Sequence, residues 1–145
     1  MATSQTFQAE LRSVLMGRGT NYPFVDGGGV DIPTPDIRTN DLERLFAAGD
    51  YQGPQYAGPV YVNLTMNVVG TSEATLFANL DTLVTAWIPA TSDITFELNL
   101  PSYGARTISG RPNRFEVPPI TGDMRRTWRI YGVRAQFKAG TPTWT

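Results

Sequence analysis

Hydrophobic and polar positions alternate most cleanly over residues 60–69. Val60, Val62, Leu64, Met66 and Val68 take one phase, and Tyr61, Asn63, Thr65 and Asn67 take the other, which is the period of a half-buried strand. Gly70 ends the pattern and the period changes. Leu76, Leu80, Leu83 and Trp87 recur at helical spacing, with Phe77, Val84 and Ile88 alongside, so the spacing predicts an amphipathic helix over about 71–88. Thr71-Ser-Glu73 supplies a hydroxyl cap and a first-turn acid, and Pro89 stops the helix. Alternation returns at Ile94, Phe96, Leu98 and Leu100, a strand closed by Pro101. Residues 105–117 read as a hairpin with Gly110-Arg-Pro-Asn113 as its connection. A last strand covers 127–138, with Tyr131, Val133, Ala135 and Phe137 on one face and Arg134, Gln136 and Lys138 on the other. Trp128 and Ile130 fall on the opposite phase, so Gly132 is expected to mark a bulge.

The first sixty residues are less regular. Residues 7–15 alternate at Phe7, Ala9 and Leu11, and read as one strand ended by a turn cluster beginning at Met16-Gly17. Residues 17–59 are rich in Gly and Pro and read as a long loop, with short strands expected at 22–25 and near Ile37. A loop of that length is the first region expected to touch a partner. The element order predicts a single α+β domain over 1–145: a mostly antiparallel β-sandwich or open barrel with one helix packed on it. One helix covers only part of a sheet face, so open edges are expected, and edges invite assembly.

Composition narrows the chemistry. The 145 residues include no cysteine and no histidine. Disulfides, thiolate metal sites, thiol nucleophiles and histidine triads are thereby excluded, and carboxylates, Tyr, Ser/Thr and Arg remain. An enzyme is the weaker expectation, and no cofactor is expected. The start of the chain has no signal-peptide pattern and no apolar stretch is long enough to span a bilayer, so no membrane partner and synthesis in the cytoplasm are expected. Residues 1–100 carry eleven acids against four arginines, whereas 101–145 carry two acids against seven arginines and Lys138. This basic end lacks the lysine density of a phosphate-binding arm.

Each candidate site has a plain alternative. Asp26, Asp31 and Asp36 lie five apart, which is not the alternate spacing of a calcium loop, so a solvated acidic loop is the better reading. Gly27-Gly-Gly29 is followed by neither Lys-Ser/Thr nor a helix, so a turn is preferred to a phosphate cradle. Glu97 and Glu116 lie on different predicted strands and would have to meet across a cleft to support glycoside hydrolysis. Asn63-Leu-Thr65 matches a glycosylation acceptor but reads as a strand's polar face. Arg125 and Arg126, with Trp128, Arg129, Arg134 and Lys138 following, fit a nucleic-acid contact, a solvent face or a subunit contact; the last is preferred because Arg and Trp are enriched at interface hot spots. Tyr51, Tyr56 and Tyr61, five apart, are the contact candidates for the alternative reading of a carbohydrate- or cell-surface-binding module.

The layout as a whole resembles a known family. It is carried by the first strand at Phe7–Leu15, by Asp36-Ile-Arg38 in the Gly/Pro loop, and by strand 60–69, Gly70 and helix 71–88. Arg106-Thr-Ile-Ser-Gly-Arg-Pro-Asn-Arg114 and the exit Phe137-Lys-Ala-Gly-Thr-Pro-Thr-Trp144 complete it. Together these resemble the N-terminal domain of the distal tail proteins of long-tailed bacteriophages. The resemblance implies a structural virion protein of the tail, a ring of six copies below the last tail-tube ring. Its partners would be itself, the tube protein, and the hub or tip with the receptor-binding proteins, and genome DNA would pass through the lumen without specific binding. It further implies subunit contacts from the long loop and the basic segments: Asp36, Arg38, Arg111, Arg114, Arg125, Arg126, Trp128 and Arg129. The second domain usual in that family is not expected after Trp144, so another tail-tube-like minor tail protein is the neighbouring reading.

Overall fold

A computed structural model describes residues 3, 5–25, 29–33, 37–39, 42–43, 50–51, 55–57, 59–120, 127–140 and 144–145; within 37–57 the description is of backbone. The elements in chain order are β1 (Gln8–Leu11), β2 (Val14–Gly17), β3 (Val30–Asp31), β4 (Ile37–Thr39), β5 (Leu42–Glu43), β6 (Asp50–Tyr51), β7 (Gln55–Ala57), β8 (Val60–Val69), α1 (Glu73–Ala86), β9 (Ile94–Leu100), β10 (Gly104–Glu116) and β11 (Arg129–Ala139). Seven strands form one sheet in the order β2-β1-β9-β10-β11-β8-β3, and its pairings are antiparallel. The sheet does not close. With one helix among the described residues, this is the expected α+β architecture.

The period-2 pattern of β8 becomes a strict burial alternation, with Val60, Val62, Leu64, Met66 and Val68 all in the core. Helix α1 starts on the Ser72 hydroxyl, which accepts from the Thr75 amide, and carries Glu73 in its first turn. Leu76, Leu80, Leu83 and Ala86 form its buried stripe, packed against β8 and β2. Val84 and Ile88, placed beside that stripe by spacing, are exposed. Gly70 allows the strand to run straight into the helix, since a Cβ there would lie 2.5 Å from the Leu76 amide nitrogen.

Residues 105–117 are not a hairpin. They form one 13-residue strand, β10, whose first half (Gly104–Gly110) pairs with β9 and whose second half (Arg111–Glu116) pairs with β11. The residues that read as a turn are where the strand changes partner. A Cβ on Gly110 would sit 2.2 Å from the Lys138 carbonyl oxygen, so only glycine admits that crossing. The register then shifts between Pro112 and Arg114, a bulge beside a residue with no N–H to give to the ladder. The sheet curls strongly enough at β10 that Phe96 of β9 stacks on Phe137 of β11, ring centroids 5.1 Å apart. Trp87 lies between Phe96 and Phe115 and closes the core from the helix side.

Three further expectations need adjustment. The strand read at 7–15 is two strands, β1 and β2, joined by Arg12 and Ser13 at φ of 49° and 66°, the left-handed pair of a two-residue hairpin turn. The bulge at Gly132 is present, at φ 78° and with the register shifting between Ile130 and Val133. It buries both of those residues and turns Tyr131 out to 56% exposure, so Tyr131 does not share the inner face with Val133, Ala135 and Phe137. Within 17–59, residues 21–25 run antiparallel along β8, where Phe24 bridges Met66 and the Val25 amide donates to the Thr65 carbonyl. Beyond β3, β4 pairs with β7 and β5 with β6, in nested order, which the lack of periodicity did not reveal.

Candidate assembly surface

The outward phase of β8 and β11 makes the second face of the curled sheet, and register determines which side chains meet there. Glu116, Arg134 and Thr65 form one row across β10, β11 and β8. Arg114, Gln136, Asn63 and Asp31 form the next, reaching β3. Arg111, Lys138 and Tyr61 form the third. Amide side chains link the strands: Gln136 Nε2 donates to Asn63 Oδ1 at 2.8 Å, and Asn113 Nδ2 donates to Gln136 Oε1. The first two rows border a polar groove of about 310 Å³ lined by Asp31, Asn63, Arg114, Glu116, Arg134 and Gln136.

Four cations and two carboxylates thus share one rigid face. Arg111 is engaged, its Nε 3.0 Å from Asp93 Oδ1 in an exposed pair, and the Lys138 ammonium lies 5.9 Å from the Tyr61 ring centroid. Arg114 and Arg134 form no ion pair among the described residues. Two free guanidiniums held on strands among ordered amides suit bidentate contact with carboxylates of a neighbouring protein.

Of the residues singled out in the sequence, Arg111, Arg114 and Tyr61 meet on this face. Trp128 and Arg129 do not: Arg129 pairs with Val69 at the far end of β11 from Lys138, roughly 30 Å away at strand rise. There Trp128, at φ 50°, accepts the Gly70 amide on its carbonyl. Arg38 lies on β4 opposite Tyr56 of β7, and Tyr51 lies on β6 opposite Leu42. The three tyrosines are therefore on three different sheets. Asp36, Arg125 and Arg126 lie outside the described residues, as do Asp26, Gly27 and Gly28. The sequence weighs Asp31 only as a cation ligand and Asn63 only as a glycosylation acceptor, and marks Gln136 only by its face of the last strand. Their polar phase along the strands is visible, but their convergence depends on register.

The catalytic pair does not form. Glu97 Oε1 accepts from the Thr3 amide and hydroxyl, and Glu97 faces Thr107 across β9–β10. Glu116 lies nine residues further along β10, roughly 30 Å at strand rise, whereas glycoside hydrolysis needs two acids several ångströms apart. Among the described residues no group of three acids is placed to hold a metal ion, and no described helix is long and apolar enough to cross a membrane.

No protein-family model matches the chain, and neither does any curated protein sequence. Its fold, by contrast, is that of a protein from a bacteriophage adsorption apparatus. The Dit (gp 19.1) protein of phage SPP1, described as a paradigm of the hub adsorption apparatus in phages infecting Gram-positive bacteria, superimposes on 97% of this chain with a TM-score of 0.67 at 14% identity. The chain spans about half the length of that protein, 52% of it.

Proposed function

We propose that this protein is a structural component of a bacteriophage tail. It assembles as a closed ring of six copies at the distal end of the tail tube and joins the tube to the hub or tip and the receptor-binding apparatus. The observation that carries the reading is the shared fold with the SPP1 Dit protein over nearly the whole chain. Two features of the chain support it: a sheet that is left open, and a polar face whose Arg114 and Arg134, in no ion pair among the described residues, suit a protein neighbour. No catalytic role is proposed, since Glu97 and Glu116, the pair weighed for acid–base work, are not brought together. The protein's place is the virion, and DNA passes the ring without sequence-specific contact.

Native mass spectrometry with negative-stain imaging tests this, on the protein alone and mixed with the tail-tube protein of the same phage. A closed ring of about six copies in either condition is expected, because head-to-tail contacts must close to give a finite particle. A strict monomer that ignores tube protein and binds glycan overturns the reading in favour of a carbohydrate-binding module.

A further inference from the structure

Helix α1 has a second stripe that the domain leaves uncovered. Phe77, Asp81 and Val84, with Ile88 just past the C-cap, each follow a member of the buried row Leu76, Leu80, Leu83 and Trp87 by one residue. One residue is about 100° around a helix, so this stripe looks sideways from the sheet rather than onto it. Phe77 is half-buried, while Val84 and Ile88 keep 39% and 48% exposure. Asp81 stands among them, exposed and in no ion pair among the described residues. The helix carries no basic residue, and Glu73 is its other acid. An apolar cover over this stripe would bury the Asp81 carboxylate without a partner, so whatever covers it must bring a cation.

The chain itself carries a surface of the matching kind. On the outer phase of the sheet Arg114 faces Gln136 and Arg134 faces Glu116 across β10–β11, which makes the two arginines diagonal neighbours about 7–8 Å apart. Neither forms an ion pair among the described residues, and Arg134 is not taken even by Glu116. Two guanidiniums at that separation can close on one carboxylate. Tyr131, turned out by the Gly132 bulge to 56% exposure, adds an apolar surface on the same strand. The spacings agree. Tyr131 and Arg134 are three residues apart, roughly 10 Å at strand rise, and Asp81 and Ile88 are seven apart, roughly 10 Å at helical rise. The two surfaces lie on different sides of the domain, since α1 packs on the inner phase of β8 and the arginines stand on the outer phase. A copy therefore cannot join its own.

We propose that the Phe77–Ile88 stripe of α1 docks on the Arg114 and Arg134 face of a second copy of the chain. Asp81 of one copy sits between Arg114 and Arg134 of the next, and Val84 and Ile88 cover its Tyr131. The ion pair supplies selectivity and the apolar flank supplies buried area. The contact is head-to-tail, so every copy presents one of each surface, and a series of such contacts must either close or grow on. The sideways set of the stripe turns each copy relative to the last, a turn that closure needs. The contact supplies the subunit joint of the proposed ring and depends on that reading only for the number of copies.

Thiol cross-linking reads the contact directly, because the chain has no cysteine of its own. The 15N-labelled Asp81→Cys variant is mixed with unlabelled Arg134→Cys and treated with a short bismaleimide. A dimer of mixed mass is expected in excess over the same-mass dimers, and Ser109→Cys in place of Arg134→Cys should give no such excess. Where the parent assembles, Asp81→Arg and Arg134→Glu are each expected to weaken assembly by about tenfold or more. An equimolar mixture of these two should restore it, because opposite charges then meet at every contact. Both positions are exposed, so melting temperatures should match the parent, which separates loss of contact from loss of fold. Absence of the mixed-mass excess, an equal excess from Ser109→Cys, or assembly of either charge variant equal to the parent's overturns the proposal. A mixed-mass dimer from a parent that forms no ring keeps this contact and loses only the ring. A ring without the mixed-mass dimer keeps the ring and loses this contact.

Discussion

Arg12 Nη1 donates to the Ile88 carbonyl oxygen at 2.8 Å, joining the β1–β2 turn to the chain just past α1, 76 residues away in sequence. The same nitrogen lies 3.4 Å from the Ala86 carbonyl oxygen. The last turn of α1 carries no basic residue, so the charge that complements the helix C-terminus is supplied from the sheet. Arg12 and Ser13 both hold positive φ without being glycine, and the contact gives that conformation a purpose.

Replacing Arg12 separates these effects. Arg12→Ala should lose the cap and keep the turn strain, costing about 1–2 kcal/mol. Arg12→Gly loses the cap but relieves the strain, and should cost less by about 0.5–1 kcal/mol. Urea unfolding of the two variants checks this. Equal stability of Arg12→Ala and the parent would show that the contact contributes nothing.

Gly110→Ala is expected to destabilise by roughly 1–3 kcal/mol, at the upper end because the obstructing atoms are backbone of Lys138 and Ala139. Ser109→Ala, one residue earlier and exposed, is the control and should stay within about 0.5 kcal/mol of the parent. Melting temperatures of the pair provide the comparison.

Tyr22 is buried, and its hydroxyl donates to the Asn79 carbonyl oxygen at 2.7 Å. Burial pushes its phenol above the ordinary value of 10.0, against a smaller lowering by the Thr82 hydroxyl. The folded state therefore holds this proton more tightly than the unfolded chain does. The resulting stability is fully present below pH 10.0 and is lost as the pH rises beyond it. Tyr22→Phe should cost about 1 kcal/mol near neutrality, through the lost hydrogen bond, and should lose stability less steeply above pH 10. Parallel denaturation curves at alkaline pH for parent and variant would contradict the linkage.

Arg114→Glu with Arg134→Glu reverses two exposed charges that make no ion pair among the described residues. Each should change stability by less than about 0.5 kcal/mol. If the polar face contacts a neighbouring subunit, the double variant stays monomeric under conditions where the parent assembles, as read by native mass. Assembly equal to the parent's would move the contact elsewhere on the molecule.

The elements most legible in the sequence were those whose partners agree with their local period. β8, α1, β9 and β11 were visible because Val60 to Val68, Leu76 to Leu83, Ile94 to Leu100 and Val133 to Phe137 each mark a face without help from elsewhere. β10 was not, because Gly110 and Pro112 are turn residues locally, and what makes them strand residues is Lys138 and Phe137 on another strand. The β1–β2 turn was missed for the opposite reason: Arg12-Ser13 carries no turn signature, and its conformation is held by a distant helix end. The polar face was half legible. Arg134, Gln136 and Lys138 announce a common side, but nothing short of register places Asp31, Asn63 and Arg114 beside them.

The position of β11 has a consequence for how the chain is made. It lies between β10 and β8, in the interior of the sheet order, yet it follows both of them in the chain. Until residues 129–139 leave the ribosome, the nascent chain holds two incomplete groups, β2-β1-β9-β10 on one side and β8 with β3 on the other. Each then presents an unpaired inner edge, and Phe96 still lacks Phe137. Completion of the sheet thus waits on β11, and a chain truncated before Arg129 would expose the inner edges of β10 and β8 to its neighbours.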